Sequence, residues 1–158
     1  MFLISLISMY HTLVFFHSLF RWLVLASLLS AILLSYRAMR SGRQFTLTDD
    51  RLRHWTATIA HMQLMIGVVL YFTSPLIKVF FAGSRRGDLG FFGMIHASLM
   101  LAAIVVITIG SALAKRKQDA KDKFRTMLVW FAVALLVILI AIPWPFSPLA
   151  SRPLYRTF

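Results

Sequence analysis

The sequence predicts an all-α integral membrane protein, an up-and-down four-helix bundle that fills one domain over residues 1–158. Three observations predict it. Hydrophobic residues make up 59% of the chain and mean hydropathy is +0.79, above the roughly half-apolar make-up of soluble domains. Four apolar stretches, within residues 10–36, 55–76, 89–114 and 126–143, each approach the ~20 residues that cross a hydrocarbon core. The connections are short, which makes consecutive helices antiparallel neighbours and puts spans one and three on a diagonal.

Each span has its own character. The opening MFLISLISMY is apolar but lacks a basic region and a small-residue cleavage site, so it reads as the lead-in to span one. Small residues mark contact faces: Ala26, Ser27, Ser30 and Ala31 in span one, Gly67 in span two, and Ala102, Ala103, Gly110 and Ala114 in span three. In lipid, such residues let helix backbones approach. Span four, MLVWFAVALLVILIAIPWPF, is apolar all round and is assigned a structural, lipid-facing role. Pro143 and Pro145 end it, and Trp144 suits the membrane interface, as do Tyr36, Trp55 and Tyr71.

Net charge is +12, from 17 Lys and Arg against 5 acids. The basic residues sit in the connections. Arg37, Arg40, Arg43, Arg51 and Arg53 follow span one; Lys115, Arg116, Lys117, Lys121, Lys123 and Arg125 follow span three. The other side has Lys78, Arg85, Arg86, Arg152 and Arg156. Cytoplasmic loops carry the positive excess, so loops one and three are predicted inside and both termini on the periplasmic side of a bacterial inner membrane. The same explanation removes nucleic acid as a partner and leaves the bilayer. With no cysteine, disulfides, iron–sulfur clusters, thiolate haem ligation and covalent haem attachment are excluded. Zinc is disfavoured by the lack of an H-E-x-x-H motif.

The five histidines are sorted by depth. His17 precedes Arg37 by 20 residues and His96 precedes Lys115 by 19, about 30 Å and 28 Å above the cytoplasmic edge. They therefore lie at one height, in the outer leaflet, on parallel spans. Two imidazoles facing each other in a bundle core suit axial ligation of a haem iron. Met100, one turn below His96, lines such a pocket. His61 follows Arg53 by eight residues, about 12 Å from the cytoplasmic edge, and is a candidate for a second haem or a quinone, the latter with Gln63 and Thr58. His54 and His11 read as interfacial.

In FFHSLFRWLVL, Arg21 follows His17 by one helical turn with no acid inside any span. An unpaired guanidinium there is costly. Asp88, a lipid phosphate, or a haem propionate would answer it; the planar fork suits the propionate.

HSLFRW in span one, AHMQLMIGVVLYF in span two, IHASLM in span three and the closing IPWPF resemble small four-helix membrane proteins of Bacteroidetes-type bacteria that are labelled cytochrome b. The resemblance runs in order along nearly the whole chain. It implies b-type haem binding, with His17, His61 and His96 as the matching histidines. The expected function is electron transfer in the membrane by one haem b, or two if His61 ligates. The first alternative is a haem-free accessory subunit of a larger respiratory or photosynthetic complex. The second is a porphyrin- or quinone-linked oxidoreductase. No intramembrane carboxylate and no nucleophile beside a base occurs, which weighs against the enzyme reading without deciding it.

Overall fold

The computed structural model describes residues 2–84 and 87–147, with side chains from residue 9 onward. Arg85, Arg86, Arg152 and Arg156 lie outside the described residues. Five helices occur in this part of the chain and no strands: α1 (Phe2–Ser41), α2 (Leu47–Thr73), α3 (Pro75–Phe81), α4 (Asp88–Arg116) and α5 (Ala120–Ala141). All but α3 are long and apolar enough to cross a membrane.

Local chemistry sets the boundaries. Gly42, at φ +66°, follows α1, a left-handed position that glycine occupies without a Cβ penalty. Thr46 then caps α2. Its Oγ1 accepts from the Asp49 amide at 3.4 Å, while Asp49 Oδ2 accepts from the Thr46 amide at 2.8 Å. Span two was expected to reach residue 76. It stops at Thr73 because Pro75 disfavours helical backbone at the preceding residue, and Ser74 is extended at ψ 127°. Pro75 then opens α3 at its first position, where its missing N–H costs nothing. Ile142, at ψ 130° before Pro143, ends α5 by the same rule.

α4 is interrupted near its start. Asp88–Gly90 forms a first turn, Phe91–Ile95 a π-turn, and His96–Arg116 the regular helix. The His96 amide donates to Phe91 C=O, the wider bond of a π-turn. Gly93 sits within that turn against α3, where an added Cβ would stand 2.5 Å from Phe80 Cγ. The Tyr71 hydroxyl of α2 donates to Gly93 C=O at 2.8 Å. Tyr71 is therefore tied to α4 by its hydroxyl, which gives it a partner other than interfacial water.

α1 packs along α2 and α5, and α4 along α5 and α2, the α2–α4 contact being the least extensive of these. The shared core holds Val24, Leu28 and Ala31 of α1, Ala57 and Ala60 of α2, and Ala103, Ile104 and Ile107 of α4. The opposite faces are apolar and exposed, including Leu23, Leu29 and Leu33 of α1 and Val68, Val69 and Phe72 of α2. Four such helices suit contact with a bilayer. Of the small residues, Ala31, Ala103, Gly110 and Ala114 are buried in contacts, but Ala26, Ser30 and Ala102 face outward.

α5 departs from expectation. Phe124, Met127, Phe131, Ala134, Ile138 and Ala141 are buried, alternating three and four residues apart, which is the stripe of a core-facing helix. Uniform hydrophobicity hid that stripe; Val129, Val133, Leu136 and Ile140 form the exposed face. The α4–α5 contact depends on Gly110, where an added Cβ would lie 2.3 Å from Trp130 Cβ. Gly110→Val is expected to destabilise the protein by about 1–3 kcal/mol through overpacking, read as a lowered melting temperature in detergent.

Arg53 is a second departure. It is a buried residue of α2 rather than part of a loop. Its Nη2 meets Asp50 Oδ1 at 2.8 Å and its Nη1 donates to Ser111 Oγ of α4 at 2.6 Å. The α1–α2 connection is also held. Asp49 accepts from Arg43 Nη1 at 2.7 Å and Nη2 at 2.6 Å, and the Arg43 guanidinium lies 5.0 Å from the Phe124 ring centre.

Candidate functional site

His17 leaves α1 and His96 leaves α4 just after the π-turn. Their rings meet in the interior with centroids 6.3 Å apart and planes at 69°. Each ring is held from behind. His96 Nδ1 lies 2.8 Å from Ala141 C=O at the end of α5. A carbonyl only accepts, so Nδ1 carries the proton and Nε2 of the neutral ring presents a lone pair. Phe91 and Phe92 flank the same ring at 5.8 and 5.9 Å. His17 lies against the α2 backbone at Gly67, where an added Cβ would come within 3.2 Å of its Cε1. Gln63, one turn below Gly67, donates from Nε2 to His17 C=O at 2.9 Å. His17 Nδ1 and Gln63 Oε1 are buried, and among the described residues neither has a hydrogen-bond partner.

A cavity of about 440 Å³ adjoins the two histidines, within the range of small-molecule and cofactor pockets. Arg21, Gln63, Gly67, Tyr71 and Met100 line it with His17 and His96, joined by Ile138 of α5 and by Ile142 and Pro143 just after it. The walls come from all five helices and are mostly apolar, with a few polar groups among them. Mostly apolar walls with a few placed polar groups are the usual make-up of a small-molecule site.

The structure thus brings together four of the five residues singled out from the sequence: His17, His96, Arg21 and Met100. Arg21 stacks its guanidinium 5.3 Å from the centre of the Trp22 ring, and Trp22 packs edge-on against Trp144 at 6.2 Å. His61 is not among the residues around the cavity. It is exposed, with Nε2 3.0 Å from Thr108 Oγ1 of α4. The grouping of His61 with Gln63 and Thr58 does not form. Gln63 turns to His17, and Thr58 donates to His54 C=O at 3.0 Å. His11 and His54 are exposed beside Tyr10 and Trp55.

Sequence reasoning missed Gly67 as the seat of His17, the Ala141 carbonyl behind His96, and Thr108. Thr108 had a signal, as a polar residue within the apolar run IVVITIG. The carbonyl had none, since every residue carries one. Among the described residues no three His, Cys, Asp or Glu side chains gather as a metal site. No family model, curated protein or solved structure matches the chain.

Proposed function

We propose that the chain is a b-type haem protein of a bacterial inner membrane that carries electrons, with His17 and His96 as the two axial ligands. In this reading it is an up-and-down four-helix bundle with both termini on the periplasmic side and the haem in the outer leaflet. The supporting observation is the 6.3 Å between the ring centres. Two metal–imidazole bonds of about 2.0–2.1 Å, added to the distance from each ring centre to its nitrogen, span roughly that gap. The Ala141 carbonyl on His96 Nδ1 is the support that an axial histidine ordinarily receives. When bound, the haem supplies a one-electron couple.

The chain's own residues do the rest. Gly67 leaves room for the His17 ring, and Gln63 holds the His17 backbone. The apolar walls exclude water, and Arg21 offers its fork to a propionate. Arg21→Leu is expected to weaken haem retention about tenfold while sparing the fold, the order expected for one charge-assisted hydrogen bond lost; haem release to apomyoglobin measures it. Haem counting on the purified chain as its pyridine complex tests the proposal. One b haem per chain is expected. A folded chain without haem, purified under conditions that do not strip it, fits the accessory-subunit reading instead.

A further inference from the structure

His61 raises a separate question, because its imidazole is exposed within a helix long and apolar enough to span a membrane, where Met62 and Met65 of α2 and Leu101 and Val105 of α4 are exposed as well. Ionisable side chains at such a place mark functional sites by default. The hydrogen bonds define its state. The Thr108 hydroxyl has one proton and donates it to Ile104 C=O at 2.7 Å. At 3.0 Å from His61 Nε2 it therefore accepts. The neutral ring is then the Nε2–H tautomer, and Nδ1 is an acceptor. Among the described residues no donor reaches that nitrogen. The hydrocarbon offers none either, and a polar group left unmet there is costly.

We infer that His61 Nδ1 accepts a hydrogen bond from the hydroxyl of a membrane-soluble hydroquinone, bound on the outer surface of α2 and α4 beside Thr108. The tautomer requires a donor and the location requires a ligand that arrives through lipid. The choice of a hydroquinone over other lipid alcohols rests on the haem reading above, since a redox-active ligand is the one that haem could use. The distance suits it. Gly67, on which the His17 ring rests, is six residues further along α2, about 9 Å by helical rise.

Equilibrium binding of radiolabelled decyl-hydroquinone to the full chain in phosphatidylcholine nanodiscs tests the site without using the haem as a readout. Saturable binding is expected, with affinity reduced about tenfold in His61→Leu, the size of one lost hydrogen bond. His61→Gln keeps most of the affinity because its amide oxygen accepts, and unchanged melting of both variants establishes that they fold. The dimethyl ether of the probe, which has no donor, is expected to bind weakly. Equal binding by wild type and His61→Leu, equal binding of the ether, or no saturable binding overturns the site. Competition by a sterol as strong as by the hydroquinone overturns the ligand class. Dependence on His61 in a chain that carries no haem supports the site and fails the electron-transfer reading alone.

Discussion

His17→Ala and His96→Ala are each expected to take the chain from one haem to a small fraction of one, without unfolding it. The two rings approach from different helices, and neither variant leaves a second imidazole within reach, since His61 is turned outward toward Thr108. His61→Ala is expected to keep its haem, as is His54→Ala. Gly67→Leu supplies an independent check. Even a Cβ at position 67 would lie 3.2 Å from His17 Cε1, so a leucine displaces the ring while both histidines remain in the chain. Haem loss in Gly67→Leu ties ligation to the position of His17. Full retention would show that ligation does not depend on the His17 ring resting on α2. Visible spectra of purified variants, normalised to protein, measure all five.

The second large effect concerns stability. Asp49 is 5% exposed and accepts two hydrogen bonds from Arg43 besides those from the Thr46 amide and hydroxyl. Asp49→Ala removes the N3 half of the α2 capping box, leaving the Thr46 hydroxyl on the residue-49 amide, together with the anchor of the α1–α2 connection. An N-cap change alone costs about 0.5–2 kcal/mol, and hydrogen bonds to charged groups contribute about 1.5–3 kcal/mol. With the Arg43 side chain 39% exposed, solvent screening discounts the second figure. The expected loss is about 2–3 kcal/mol, and Arg43→Ala, which leaves the cap intact, should cost about 1 kcal/mol. Thermal unfolding of the three proteins in one detergent gives the comparison. Equal effects from both variants would show that the bonds Asp49 accepts from Thr46 contribute nothing.

The parts legible in the sequence are those written in side-chain type and spacing. Four apolar runs correspond to four long helices. Counting residues from the basic loops put His17 and His96 at one depth, and their rings do meet. The same counting separated His61 from them. What stayed hidden depends on backbone or on faces that composition cannot resolve. Pro75 is visible in the sequence, yet the apolar run continues through it to Leu76, beyond the end of α2 at Thr73. The π-turn at Phe91–Ile95 has no fixed residue pattern, although it sets where His96 points. The buried stripe of α5 is apolar against an apolar background, so its period carries no contrast. Arg53 looks like any basic loop residue until Ser111 of α4 is seen beside it.

The central claim is that His17 and His96 hold one iron between them. Electron paramagnetic resonance of the oxidised, purified chain tests it most directly, because two axial imidazoles make ferric haem low-spin and six-coordinate. The account predicts a single low-spin signal at one spin per chain, lost in both His17→Ala and His96→Ala. A high-spin signal in the wild type, or a low-spin signal that survives either substitution, would contradict it.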